Sequence, residues 1–87
     1  MNINEIKSRV RIEVVISDYV NLESIGIDRF RGLCPFREES KPSFTVYADT
    51  RSFYCYGCGA GGDVINFLMK IENISFIEAI KKLKKYM

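Results

Sequence analysis

Cys34, Cys55 and Cys58 are the residues whose types and spacing could do chemistry, and they are all the cysteines of the chain. The first opens Cys34-Pro35-Phe36-Arg37, and the others frame Cys55-Tyr56-Gly57-Cys58-Gly59. Two short alternating segments lie between. Two tight corners that carry thiols and are held apart by a hairpin form the frame of a four-ligand zinc site. A Cys-x-x-Cys alone also suits a buried or redox pair, but a third cysteine at the mouth of the hairpin favours metal on ligand count. Pro35 stiffens the first corner. Gly57 and Gly59 let the second fold so that backbone N–H groups face the thiolates. The frame has a gap: position 37 should supply a second ligand, and a guanidinium stays protonated and cannot coordinate.

The elements that must position these corners are legible from periodicity. Residues 3–20 look helical, with Ile3, Ile6 and Val10 on one face and Asn2 with Glu5 as a starting pair. Residues 12–20 fit helical spacing but are rich in β-branched side chains, which suits a second short helix running into a strand near 20–25. Gly26 marks a turn. Residues 29–33 suggest a strand entering the first corner. Residues 43–48 alternate, with Phe44, Val46 and Ala48 on one side and Thr45 and Tyr47 on the other. Asp49-Thr50 turns the chain into a return strand over 51–55. After Gly61-Gly62, residues 63–72 form a helix with Asp63 as N-cap and Val64, Phe67, Leu68 and Ile71 on its apolar face. Asn73-Ile74 breaks it. Ser75 and Glu78 make a capping box for a last helix that buries Phe76, Ile80 and Leu83. The fold class is α+β: a zinc-ribbon-like antiparallel sheet with flanking N- and C-terminal helices, in one domain over residues 1–87.

Composition sets limits on partners and compartment. At 47% hydrophobic and 28% charged, the 87-residue chain is globular, and so small that a metal staple is plausible. A net charge of +2 gives no strong nucleic-acid signal, so the distribution of charge matters more than its sum. Arg29, Arg31, Arg37, Lys41 and Arg51 gather around the cysteine frame, and Lys81, Lys82, Lys84 and Lys85 crowd the last helix. Those lysines suit the solvated side of an amphipathic helix. No secretory signal and no membrane-length apolar run is expected, and an odd cysteine count points to thiols in a reducing compartment, the cytoplasm.

Gly32-Leu33-Cys34-Pro35-Phe36, Pro42-Ser43-Phe44-Thr45-Val46, the run from Phe53-Tyr54-Cys55 through Gly61-Gly62-Asp63 to Phe67-Leu68-Met69, and Ser75-Phe76-Ile77-Glu78-Ala79-Ile80 resemble the zinc-binding domain of bacterial DnaG-type DNA primases. Tyr19-Val20-Asn21-Leu22 is similar to that family's first strand. The resemblance implies ligands in the order Cys, His, Cys, Cys. Three fall on Cys34, Cys55 and Cys58; the histidine falls on Arg37, in a chain without histidine. Ser40-Lys41 also departs from the family's Lys-Thr pair. Glu38, Glu39, Asp63 or water could fill the fourth position. Arg37 would then offset the net negative charge of three thiolates on Zn²⁺, or, read the other way, repel the ion and leave the site empty. The expectation is one zinc per chain, bound more loosely than by four protein ligands.

The resemblance further implies binding of a single-stranded DNA template, help in starting RNA primers, a catalytic primase domain in cis or in trans, and the replicative helicase as a further partner. Cations that follow phosphates and rings that stack bases are the usual equipment for single strands. Arg31, Arg29, Lys41 and Tyr56 are the candidates, with Thr45, Tyr47, Ser52 and Tyr54 sharing the exposed side of the hairpin and Arg51 at its end. Phe30, Phe44 and Phe53 suit the core better than a stacking surface. No carboxylate cluster for nucleotidyl transfer is present, so the chain is expected to be non-catalytic alone. Two other readings are a metal-poor relative serving as a protein-interaction module of a plasmid, phage or mobile element, and a thiol redox protein built on Cys55 and Cys58.

Overall fold

The computed structural model describes residues 3–37 and 41–87. Asn2, expected at the first helix start, and Glu38 and Glu39, considered as ligands, lie outside the described residues. Two short helices come first, α1 (Ile3–Arg9) and α2 (Ile12–Ser17). They are separated by Arg11 in an extended conformation. The β-branched run of residues 12–16 is therefore helical. Ile12, Val15 and Ile16 all fall on its buried side, and this packing outweighs the strand preference of the residue types.

Five strands follow: β1 (Glu23–Gly26), β2 (Arg29–Gly32), β3 (Phe44–Tyr47), β4 (Ser52–Cys55) and β5 (Gly61–Gly62). They form one antiparallel sheet whose order is β1-β2-β3-β4-β5. The first strand begins at Glu23, later than the 20–25 and 19–22 expectations, because the Val20 amide bonds back to the Ile16 carbonyl and its side chain is buried beside Gly32 instead of joining the ladder. The last strand has no alternating pattern in the sequence. It exists because β4 needs a partner where Tyr54 lies across Gly61, and a Cβ there would meet the Tyr54 ring at 2.8 Å. Only glycine admits that approach.

Two helices close the chain, α3 (Val64–Glu72) and α4 (Phe76–Leu83), with a short 3₁₀ turn over Lys84–Tyr86. The Asp63 carboxylate accepts the Asn66 amide and starts α3. Asn73 ends it in the left-handed region. Both halves of the Ser75–Glu78 capping box are formed. Helices α2 and α3 pack on one side of β3 and β4, and α4 packs on α3.

Cross-strand register sorts the sheet into two sides. Phe44 pairs with Cys55 and Val46 with Phe53, and all four are buried. They meet Phe67, which is fully buried between the Phe44, Phe53 and Phe36 rings at centroid distances of 5.6–6.0 Å. Two expectations fail here. Phe76 is 41% exposed, and Ala79 with Leu83 makes the buried contact of α4 instead. Thr45, expected on the exposed side, is only 8% exposed.

Candidate metal centre and the open side of the sheet

In an antiparallel meander, alternate connections leave the sheet at the same end. The β2–β3 and β4–β5 connections therefore emerge together, and they are the two that carry cysteines. The Sγ atoms of Cys34, Cys55 and Cys58 all lie within 4.8 Å of one another. The Cys34 and Cys58 sulfurs are 3.4 Å apart, and all three cysteines are free thiols. Four sulfurs at about 2.3 Å from a tetrahedral Zn²⁺ would stand about 3.8 Å apart, so the separations suit a shared cation and not a disulfide.

Each corner turns an amide toward its first sulfur: Phe36 toward Cys34, and Cys58 toward Cys55. The Gly59 amide donates to the Cys55 carbonyl at 2.7 Å, and Gly59 has φ +81°, which an L side chain rarely adopts. The Ser43 hydroxyl, which sequence reasoning passed over, lies 3.7 Å from the Cys55 sulfur. Its position just before β3, at the mouth of the hairpin, is the signal that could have found it. Burial resists ionisation at both inner thiols. Cys34, whose thiol also hydrogen-bonds to Cys55, is pushed up to about 12. At Cys55 the same burial is outweighed by hydrogen bonds from Cys34, the Cys58 amide and Ser43, which bring it down to about 7. Cys34 and Cys55 are buried, and Cys58 is exposed at the rim.

Arg37, at the gap in the frame, donates from Nη1 to the Gly57 carbonyl at 3.2 Å and so ties the first corner to the second. Asp63 does not reach the sulfurs. One of its oxygens caps α3, and the other holds Lys7 Nζ at 2.8 Å. That removes it from the candidates for a fourth ligand. Among the described residues no carboxylate joins the sulfur cluster.

The side of the sheet away from the helices carries Arg29, Arg31 and Tyr56, while Lys41 lies before β3 in the β2–β3 connection. Arg31, Thr45 and Tyr54 form one cross-strand row, and Arg29, Tyr47 and Ser52 form the next. The Arg29 guanidinium lies 5.2 Å from the Tyr47 ring centre. The Tyr47 and Tyr56 hydroxyls meet at 2.6 Å, and the Tyr56 ring stands edge-on to Tyr54 at 4.8 Å. Thr45, directly across from Tyr54, is buried in this row. The result is a continuous basic and aromatic surface that ends on Tyr56, inside Cys55-x-x-Cys58. Tyr56 is 67% exposed and Tyr54 41%. Arg29, Arg31 and Lys41 are exposed. Arg51 is not part of this surface: it turns back at φ +57° and donates to the Lys7 carbonyl at 3.0 Å. The all-antiparallel sheet also lacks the βαβ unit of thiol redox domains.

The CHC2 zinc finger pattern matches residues 1–87. The chain belongs to the CHC2 zinc-finger family of DnaG-type primases. A DNA primase of Thermotoga maritima is 52% identical over 83 residues, covering 95% of this CHC2 finger and 14% of that protein. A DNA primase of Mycolicibacterium smegmatis is 50% identical over 82 residues, covering 94% of this chain and 13% of the relative. The Aquifex aeolicus primase structure, which contains zinc-binding and RNA polymerase domains, superposes with a TM-score of 0.89 at 43% identity, over 99% of this chain and 22% of that one. The chain thus spans about one seventh of the curated relatives it matches. No helix among its described residues is long and apolar enough to cross a membrane.

Proposed function

We propose that this chain is the zinc-bearing, template-recognition module of a DNA primase, acting in the cytoplasm on single-stranded DNA. The observation that carries the reading is the convergence of three sulfurs from two turns, beside a basic and aromatic sheet surface that ends within the second turn. Cys34, Cys55 and Cys58 are the residues that would hold Zn²⁺. Bound there, the ion supplies a structural cross-link between the turns. Glu38, Glu39 or water would complete its shell, and Arg37 would balance the surplus negative charge from beside it.

Arg31 and Arg29 would follow the template phosphates, joined by Lys41 at the head of β3, while Tyr56 and Tyr54 offer faces to bases. Nucleotidyl transfer would come from a primase catalytic domain in cis or in trans, and the replicative helicase is the further partner this role calls for. The test is a paired measurement. Metal analysis of protein purified without chelator should find about one zinc per chain, and the Arg31→Ala, Lys41→Ala double variant should bind single-stranded oligonucleotides more weakly with a flatter salt dependence. Absence of zinc, or unchanged binding by the double variant, refutes the corresponding half. Arg37 at the expected histidine position favours one alternative, a metal-poor module for protein contacts. Zinc-free protein that binds no oligonucleotide would establish that alternative.

A further inference from the structure

We propose that the three-sulfur cluster is a capture site for trivalent arsenic, taken up as arsenous acid. Zinc seeks four donors, and this cluster presents three, all sulfur, with an arginine where a nitrogen ligand belongs. Trivalent arsenic is satisfied by three thiols in a shallow pyramid, its lone pair occupying the fourth direction. The Cys34, Cys55 and Cys58 sulfurs already form a triangle with no side longer than 4.8 Å and one of 3.4 Å. The second turn is closed by the Gly59 amide on the Cys55 carbonyl, and Arg37 ties the first turn to it through the Gly57 carbonyl, so the fold already holds the sulfurs together. Cys58 is exposed and gives the reagent a first point of attack, with the two buried thiols behind it.

The reaction is As(OH)₃ + 3 RSH → As(SR)₃ + 3 H₂O. Three As–O and three S–H bonds break, three As–S and three O–H bonds form, and no atom changes oxidation state. The product is electrically neutral, whereas three thiolates around Zn²⁺ leave a net negative charge beside buried Cys34 and Cys55. The soft thiolate set, with no imidazole or carboxylate beside it among the described residues, favours the softer ion. The proposal shares the convergence of sulfurs with the zinc reading, but not the need for a fourth ligand.

The experiment adds arsenous acid to the zinc-loaded chain. Zinc release is followed with a chromophoric chelator, bound arsenic by native mass spectrometry, and remaining thiols with Ellman's reagent. One arsenic bound, one zinc released and no titratable thiol is the expected result. Zinc retained in excess arsenous acid overturns the proposal. So does an adduct that leaves one thiol free, since any close dithiol could form that. A chain that takes no zinc yet binds arsenic through all three sulfurs refutes the zinc reading and upholds this one. Cys58→Ser keeps both buried thiols. It should lose its arsenic to one equivalent of a small dithiol that the natural chain resists, and equal retention by the two overturns the proposal.

Discussion

Tyr56→Ala separates stacking from charge on the open sheet side. Tyr56 is 67% exposed, and its hydroxyl meets that of the half-buried Tyr47, so truncation removes little from the folded state, about 1 kcal/mol. A base stacked on an aromatic face contributes roughly 1–3 kcal/mol. Loss of one such face should weaken oligonucleotide binding by about 5- to 150-fold. Because no charge is removed, the slope of log affinity against log salt should not move. Arg31→Ala should do the converse, reducing the slope by about 0.7 for one phosphate contact on a single strand. The assay is fluorescence anisotropy with a labelled oligothymidine over a range of salt, with metal content and melting temperature checked for each variant. A Tyr56→Ala chain that keeps its zinc and its melting temperature and binds as tightly as the natural chain would refute the stacking role. A change of slope in that variant would show that the ring acts by displacing a neighbouring cation, and would sink the division of labour.

Phe67→Ala empties the centre of a five-ring cluster, with Tyr19, Phe36, Phe44 and Phe53 around it, and should cost about 3–5 kcal/mol, a large share of the roughly 4–13 kcal/mol expected for a domain of this length; chemical denaturation will read it. Asp63→Asn probes an acid-side stability. Burial alone would raise the Asp63 carboxyl, but the Lys7 ammonium and the Asn66 amide outweigh it and hold the group below its ordinary value. Its contribution is therefore full above the unfolded carboxylate range and disappears as pH falls through the depressed folded value. The variant should be less stable at neutral pH, and the gap should close in acid. Arg37→His should restore a nitrogen donor and tighten zinc at least about tenfold in competition with a chelator, and an unchanged affinity would show that position 37 does not face the ion.

Local rules made much of the fold legible. Asp63, Ser75 and Glu78 announce their helices because a cap is a contact between residues close in sequence. The β3–β4 hairpin declares itself by alternation around Asp49-Thr50. The cysteine frame was readable because a turn fixes its own thiols, and the meander then brings the turns together. What escaped is what the third dimension adds. Gly61-Gly62 reads only as the lead into the next helix until Tyr54 requires a strand without side chains beneath it. Thr45 looks exposed until the ladder sets it between Arg31 and Tyr54. Arg51 looks like one more cation of the hairpin until α1 offers it a carbonyl. Asp63 had two functions open to it, and Lys7, distant in sequence, decided between them.

The neighbour-to-neighbour order of the strands has a consequence during synthesis. Every ladder joins segments that leave the ribosome in succession, a topology that favours rapid pairing. Once residue 62 has emerged, all five strands are present, yet the aromatic side built on Phe44 and Phe53 still awaits Phe67 and Leu68. At about 5–20 residues per second, the part of the nascent sheet that α3 covers, beside α2, stays open for on the order of a second. That interval is when a chaperone or a second unfinished chain would find it.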